Sequence, residues 1–301
     1  MTIPYMITIG NILTHEQKDA IEGIINSTFD EVNRHYNNYN PDSEVSQINR
    51  LKEYERFTLS EPMKVFLTRV GHMVELTDGY FDPSVAPAFM FWKETVSRGE
   101  VPNEERLKAV LRGVGWHHIH LDNGKLYKDH SATALDFGGI AKGYCIDLIS
   151  ERLRANGFTN HLIEWGGEIY CSGTHPEGRN WTIHVRHPYD ADPSKALAAL
   201  PLQDLALASS GSYFQFWDVV KNGNTIRYTH IMHPKKGELL SFSRNSPVAC
   251  SVIAKTCLEA DALATRAMIF NDRGEAGAWA RQITNLNPEY IFLFVYPDDI
   301  D

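Results

Sequence analysis

The chain has 301 residues, of which 43% are hydrophobic and 22% are charged, as in an ordinary globular protein of about two domains or one large one. The formal net charge of −9 argues against nucleic acid as a partner, because an acidic chain repels a phosphate backbone. No apolar run approaches the roughly 20 residues that span a bilayer, so we expect no transmembrane segment. The four cysteines form no CxxC pair and are interpreted as small apolar residues.

The first half of the chain is predicted to contain strands and helices with clear start signals. A strand at 5–9 precedes a helix that begins at a capping box of Thr14 and Gln17 and runs to about Tyr36. The following segment is rich in Asn, Pro, Asp and Ser and is predicted to form turns. Further helices are predicted at 60–77 and 103–111, and a hairpin at 118–128 around Asn123-Gly124.

The second half continues to mix hairpins with helices. A strand at 133–137 is followed by Gly138-Gly139 and a helix that reaches Asn156. Later strands are predicted at 161–165, 168–171, 182–186, 205–209, 226–232, 247–255 and 290–295, and helices at 259–270 and 275–281. This order indicates the α+β class, with mixed or antiparallel sheets and flanking helices. No linker divides residues 1–301, so we predict a single domain whose two lobes pack tightly.

The turn between Asp136 and Lys142 is the first segment that can carry chemistry. A strand, two glycines and a helix start let an anion approach bare backbone and the free N–H groups of the helix. Lys142 falls in the first turn of that helix, where a cation is unfavourable for the helix dipole. An anionic ligand explains the lysine, although an ordinary strand–helix turn is the more common source of such a pattern.

A second candidate is the pair Asp261 and Thr265, which are four residues apart and therefore share one helix face. A carboxylate and a hydroxyl suit Mg²⁺, a hard cation that takes further oxygens from water and phosphate. His230 and His233 flank a strand end and are candidates for a general base. The segment Ser209–Tyr213 does not match GxSxG, so we do not predict a serine hydrolase.

Seven ordered segments together resemble the ApbE family of FAD:protein FMN transferases. They are Tyr39 with Asp42-Ser43 and Ile48-Asn49; Asp78-Gly79-Tyr80-Phe81-Asp82; Asp136, Ile140, Lys142 and Gly143; Gly166-Gly167-Glu168; Ser210-Gly211-Ser212-Tyr213; His230-Ile231 with Pro234 and Gly237; and Ala260-Asp261-Ala262 with Thr265. The match runs from about Met1 to Phe270, which is nearly the whole chain.

The resemblance implies an α+β fold with FAD in a cleft between two lobes. It also implies a reaction in which the FAD pyrophosphate is split, FMN is placed on a threonine or serine of a target flavoprotein, and AMP is released. The flavin nucleotide would contact Met1, Tyr39, Tyr80, Phe81, Asp82, Asp136, Lys142 and Met232. Magnesium would be held by Asp261, Thr265 and the carbonyl near Gly139. The expected catalytic residues are His230, Lys142 and Asp261.

Three positions depart from the family pattern. His233 stands where many relatives carry Asp, and Ala264 stands where many carry a polar or acidic residue. The opening Met-Gly-Thr of the family reads Met1-Thr2-Ile3, which weakens the expected flavin contact at Met1.

Two other functions use the same residues. Water as the nucleophile would make the protein an FAD pyrophosphatase that yields FMN and AMP, and loss of chemistry would leave an FAD-binding protein. The family further implies a periplasmic location at the inner membrane, as a membrane-associated lipoprotein, and an acceptor such as a redox-pump subunit. The segment MTIPYMITIG lacks the charged region, apolar stretch and cleavage site of a signal peptide, so we expect either a cytoplasmic protein or a mature or trimmed form of an exported one.

Overall fold

The computed structural model describes residues 3–190, 192–213, 215–221 and 223–300. The chain divides into two compact units, each assembled from separated stretches of sequence. The first unit comprises Met1–Val32, Ile140–Tyr213 and Arg244–Asp301, and the second comprises Asn33–Gly139 and Phe214–Ser243. Because the chain passes between the units more than once, no single position along the sequence divides them.

Most of the helices begin where the sequence supplies a capping side chain, whereas those that follow Val85 and Ile140 begin without one. The helices are α1 (His15–His35), α2 (Glu44–Asn49), α3 (Glu61–Leu76), α4 (Ala86–Val96), α5 (Glu104–Leu111), α6 (Ala141–Ala155), α7 (Cys257–Ala267) and α8 (Arg273–Leu286). The capping box predicted for α1 is confirmed, because Gln17 N–H donates to the Thr14 hydroxyl at 3.2 Å and Thr14 N–H donates to the Gln17 side chain at 3.0 Å. None of the helices in the described part of the chain combines the length and apolar character that a membrane crossing needs.

The strands pair into antiparallel sheets. They are β1 (Tyr5–Ile9), β2 (Phe57–Thr58), β3 (Ile119–Asp122), β4 (Lys125–Lys128), β5 (His161–Trp165), β6 (Glu168–Ser172), β7 (Trp181–Val185), β8 (Ala198–Leu202), β9 (Leu205–Gly211), β10 (Phe216–Lys221), β11 (Asn224–His233), β12 (Glu238–Ser241), β13 (Ala249–Ala254) and β14 (Ile291–Val295). The predicted α+β class with antiparallel sheets and flanking helices is confirmed.

The first unit is built on a sheet in the order β1-β5-β6-β9-β13-β14. Every residue of β13 is buried, so both faces of this strand are covered. The hairpin of β7 and β8 packs on one face, where Trp181 and Ile183 join a core cluster with Cys171 of β6. Side chains alternate along a strand, so Glu168 of β6 points to the opposite face, toward α6.

The second unit has two apolar centres. Helices α4 and α5 pack on the sheet β10-β11-β12, with Trp92 and Leu107 against Val219 and Leu239. In the other centre, the ring of Phe66 on α3 lies 4.4 Å from that of Tyr36 and 4.9 Å from that of Phe137, measured between centroids.

One predicted strand is wrong, and several elements escaped prediction. Residues 133–137 form only an isolated bridge at Ala134, because the backbone of Leu135 bonds to the Asn49 side chain at 2.7 and 2.9 Å. The segment predicted as turns contains α2, which Ser43 caps by accepting the Ser46 N–H at 3.2 Å. The elements α4, β8, β10 and β12 were not predicted either.

Candidate functional site

The turn after Asp136 is held by the side chain of that residue. Asp136 Oδ1 accepts the Gly138 N–H at 2.8 Å, and the Asp136 N–H donates to the Pro83 carbonyl at 2.8 Å. Burial raises the pKa of Asp136, whereas the hydrogen bonds from Gly138 and Asn38 oppose that rise. Asp136 and the half-buried Gly139 belong to the second unit.

In the first unit, Lys142 lies in the first turn of α6, as predicted, but its immediate partner is a carboxylate of the same unit. The Lys142 ammonium forms an ion pair with Oε1 of Glu168, the first residue of β6. The Glu168 side chain is 3% exposed and that of Lys142 is 25% exposed. Within the described residues, Glu168 Oε2 is buried and has no hydrogen-bond partner. A buried oxygen without a partner is costly, so the described residues leave Glu168 incompletely satisfied.

Asp261 adds a second carboxylate to this cluster. Burial acts to lower the pKa of Lys142, but the charges of Asp261 and Glu168 outweigh burial and raise it. Burial also raises the pKa of Glu168 to about 8, and the charge of Asp261 adds to that rise. The pKa of Asp261 is raised by burial, and Lys142 and the Gly143 N–H oppose the rise. The raised pKa values of Glu168 and Asp261 show that two charged carboxylates beside one ammonium are unfavourable here, a cost that a bound cation would reduce.

Helix α7 carries Asp261 and is anchored at its start. The Thr256 hydroxyl accepts the Glu259 N–H at 3.2 Å and the Glu259 side chain returns to the Thr256 N–H, which completes a capping box. Asp147 of α6 accepts the N–H groups of Cys257 and Leu258 at 2.7 and 2.9 Å. A carboxylate at a helix N-terminus also suits the helix dipole. These bonds fix the register of α7 against α6.

Close contact between α6 and α7 depends on Gly143. A Cβ atom at this position would lie 2.3 Å from the Cys257 carbonyl oxygen, so only glycine fits. The Gly143 N–H donates to Asp261 Oδ2 at 3.2 Å. The Asp261 carboxylate is therefore drawn to the N-terminal end of α6, beside Lys142.

Asp261 and the half-buried Thr265 stand one turn apart on α7, as predicted. Their donor set, one buried carboxylate and one hydroxyl within a negatively charged cluster, fits a hard divalent cation. In the parts of the chain that the structure describes, no group of three or more His, Cys, Asp or Glu side chains is placed to hold a metal ion. Such a cation would need further oxygens from backbone, water or ligand.

In the second unit, Asp82 organises the Asp-Gly-Tyr-Phe-Asp segment. Its Oδ1 accepts the Ser84 N–H at 2.8 Å, and its Oδ2 accepts the Trp116 N–H at 3.0 Å. Burial raises the pKa of Asp82, while the bonds from Ser84 and Trp116 oppose the rise. Phe81 is 4% exposed and belongs to the core, which leaves mainly its backbone for a ligand.

The neighbouring Tyr80 is flanked by two basic side chains. The centroid of its ring lies 5.5 Å from that of His233, and the Lys235 ammonium lies 4.1 Å from the ring centre. A cavity of about 560 Å³ opens beside it and is lined by Gly79, Asp82 and Lys235, among others. This volume is in the range of small-molecule sites.

Of the remaining predicted contacts, His230 and Met232 lie on β11. The His230 Nδ1–H donates to the Gln215 carbonyl at 3.2 Å, which makes Nε2 the basic nitrogen. Burial lowers the pKa of His230, so the neutral ring is favoured. Met232 is buried against α4 and α5, whereas Tyr39 is 82% exposed. Met1 lies outside the described residues.

Two residues of the first unit escaped the sequence analysis as site residues. Glu168 was quoted only as part of a glycine motif, and Asp147 was not considered. An acidic residue at the start of a buried strand and one on the apolar side of a helix are the signals that could have found them.

Comparisons with known proteins agree on one family. The ApbE family model matches residues 1–288. An FAD:protein FMN transferase of Chlamydia muridarum is 35% identical over 285 residues, which cover 94% of this chain and 86% of that protein. An FAD:protein FMN transferase of Vibrio cholerae is 31% identical over 304 residues, covering 98% of this chain and 87% of that protein.

Solved structures show the same fold. The flavin transferase ApbE from Vibrio cholerae aligns with a TM-score of 0.80 at 27% identity, over 100% of this chain and 92% of that one. The apo form of the Pseudomonas stutzeri flavinyl transferase ApbE aligns with a TM-score of 0.79 over 98% of this chain and 91% of that one. At 24% identity the second likeness concerns the fold alone.

Proposed function

The chain belongs to the ApbE family, and from this membership we propose that it is a magnesium-dependent FAD:protein FMN transferase. It would split the FAD pyrophosphate, attach FMN through a phosphoester bond to a threonine or serine of a target flavoprotein, and release AMP. The observation that carries the proposal is the buried cluster of Lys142, Glu168 and Asp261 at the start of α6. Such a cluster suits a ligand that brings both phosphate and a cation.

The reaction balances as one displacement at phosphorus. The acceptor hydroxyl oxygen forms a bond to the FMN-side phosphorus, and the bond from that phosphorus to the bridging oxygen breaks. AMP leaves with the bonding electron pair on that oxygen. As in other phosphoryl transfers, positioning and electrostatic stabilisation supply most of the rate.

His230 is our candidate for accepting the proton of the incoming hydroxyl. The bond from its Nδ1–H to Gln215 fixes a tautomer in which Nε2 holds the lone pair, and burial keeps the ring neutral near pH 7. A neutral imidazole with a defined acceptor nitrogen meets the requirements of a general base.

Lys142 and Asp261 would meet the charge of the pyrophosphate. The raised pKa of Lys142 keeps its ammonium protonated, so that it can stabilise negative charge that grows as the bridging bond breaks. Asp261, Thr265 and the carbonyl of Gly139 would hold magnesium. When bound, this ion neutralises phosphate charge.

The flavin nucleotide would be bound by residues that the family pattern selects. Asp82 lines the cavity described above and Tyr80 stands beside it. The same unit contains the other proposed contacts, Tyr39, Phe81, Asp136 and Met232. Met1 completes the proposed set by family resemblance alone. We also extend to this chain the family expectation of an acceptor flavoprotein at the periplasmic face of the inner membrane.

The test is incubation of the protein with FAD and Mg²⁺, with and without a candidate acceptor domain. Mass spectrometry should find the acceptor heavier by one FMN and should find AMP in the supernatant. Free FMN in the absence of acceptor would identify a pyrophosphatase instead. FAD that stays intact in every reaction would refute both activities.

A further inference from the structure

Glu168 is a buried acid that belongs to the cluster with Lys142 and Asp261 but has no individual role in the proposed reaction. It lies on the helix-facing side of β6, and one oxygen pairs with Lys142. The other oxygen is buried without a partner in the described part of the chain. Structural carboxylates in protein interiors normally use both oxygens, so this pair is incompletely satisfied as a structural element.

The backbone around Glu168 is shaped to bring it to Lys142. The turn between β5 and β6 consists of Gly166 and Gly167, with φ angles of 66° and 104° that favour glycine. A Cβ on Gly166 would lie 3.5 Å from Glu168 Oε2 and 3.7 Å from Lys142 Cδ. The bare turn therefore runs directly beside the ion pair.

A lysine side chain needs such a partner if its ammonium is to occupy one position. It has a flexible four-carbon stem and loses considerable rotamer freedom when it is fixed. The Asp261 carboxylate is oriented by the Gly143 N–H, and Glu168 is the group in ion-pair contact with Lys142. The ammonium donates to Glu168 Oε1 whether or not Oε2 carries a proton.

We propose that Glu168 is a positioning residue that fixes the Lys142 ammonium in the orientation needed to meet the pyrophosphate. This inference rests on the proposed function, since it gives Lys142 its ligand. It differs from a structural role in one respect: turnover should follow the presence of the acceptor oxygen, falling in a variant that lacks it and recovering in one that keeps a neutral oxygen, beyond the loss of stability that breaking a buried pair causes.

The test compares Glu168→Met, which removes the acceptor oxygen, with Glu168→Gln, which keeps a neutral one. We expect Glu168→Met to lower kcat by about 10- to 100-fold, the usual effect of losing a residue that orients an active group, with FAD affinity changed less than about threefold. Glu168→Gln should recover a large part of that loss. The matched control is Glu289→Met, which breaks the exposed ion pair with Lys255 at 2.8 Å and should leave kcat unchanged.

A double-variant cycle shows whether Glu168 acts through Lys142. If it does, Lys142→Met combined with Glu168→Met should be no slower than Lys142→Met alone. The proposal would be overturned if the fold-losses of the two single variants multiplied in the double variant. It would also be overturned by a kcat for Glu168→Met within twofold of that of the parent protein. Crystal structures of the two variants give a measurement that does not depend on activity. The Lys142 ammonium should keep its position in Glu168→Gln and lose it in Glu168→Met.

Two further outcomes keep the test decisive. If Glu168→Met does not fold, the role is structural and the inference fails. If the parent protein binds FAD but transfers no FMN and releases none, the proposed function fails. In that case an unmoved Lys142 in the Glu168→Met crystal would independently overturn the positioning role.

Discussion

Each unit contains a lysine that is largely shielded from solvent, and the two lysines have different partners. Lys128 of the second unit is fully buried, and its ammonium donates to the carbonyls of Asn49, Ser131 and Thr133 at 2.9, 3.3 and 2.6 Å. Lys142 of the first unit is a quarter exposed and pairs with a carboxylate. The two lysines thus differ in whether they face fixed backbone or a titratable partner.

The difference appears in their protonation. Burial lowers the pKa of Lys128, and the charge of Glu55 opposes this only in part. The carboxylates near Lys142 reverse the effect of burial and raise its pKa. An ammonium has three donor hydrogens, and Lys128 gives all of them to carbonyls that tie loops together. Lys142 is held in a charged cluster, which is what an anionic ligand and a cation can exploit.

The largest effect is expected from Asp261→Ala, which leaves one carboxylate for the Lys142 ammonium. The cluster would then lose the carboxylate that is proposed to hold the cation, and magnesium-dependent turnover should be abolished. The measurement is the rate of FAD consumption across a magnesium titration. Asp298→Ala, an exposed aspartate of the same unit, is the control. Full activity of Asp261→Ala at any magnesium concentration would remove this residue from the site.

Lys142→Met should follow, with kcat lowered by about 10²- to 10³-fold, the usual loss for one group that stabilises transition-state charge. Stability should also fall, by up to about 3 kcal/mol, because removal of the ammonium leaves the buried Glu168 and Asp261 without their cationic partner. Steady-state kinetics and urea unfolding measure the two quantities, with Lys255→Met as the exposed control. A large loss of stability with normal kcat would show that Lys142, like Lys128, has a structural role.

Lys128→Met should lower stability and leave the kcat of the folded protein nearly unchanged. One buried carbonyl (Thr133) and two partly buried carbonyls (Asn49 and Ser131) would lose their donor, at roughly 1–3 kcal/mol for a buried unsatisfied group, and we expect about 3 kcal/mol less stability. The kcat of the folded fraction should stay within about twofold. Urea unfolding checks the first number, and Lys125→Met, an exposed lysine on the same strand, is the control. Unchanged stability would contradict the structural role.

Glu168 should also make stability depend on pH. The folded-state pKa of Glu168 is raised from 4.5 to about 8, so between these values the folded protein holds a proton that the unfolded chain releases. The free energy of unfolding contributed by this group is therefore present below pH 4.5 and lost as pH rises to 8, by at most about 1.4 kcal/mol for each unit of pKa difference. Glu168→Met should show a flatter profile in urea unfolding at pH 5, 6.5 and 8. Parallel profiles would show that Glu168 titrates normally.

Sequence patterns predicted elements well where local signals and tertiary packing agree. The strand β1 matches its prediction, and helix α1 begins beside its predicted capping box. The predicted strand at 133–137 failed because Asn49, distant in sequence, takes the backbone bonds of Leu135. Strands β10 and β12 were missed because their short, partly polar sequences become strands by pairing with β11.

The candidate site could be predicted only in part. Lys142, Asp261 and Thr265 were predicted as site residues because each occupies a helix position that local sequence spacing identifies. Glu168 was missed because its role depends on a contact between β6 and α6, which no local spacing reveals. Residues whose importance comes from a long-range partner are the ones that a single sequence conceals.

The contact at Gly143 has a consequence for the metal that Asp261 is proposed to hold. Gly143 has no side chain that could change its conformation and so allow the backbones of α6 and α7 to move closer together. The two helices cannot approach each other further, so they cannot close around a smaller ion. Selection among cations by radius would then be left to water and phosphate oxygens, and the protein would set only the depth at which the ion sits.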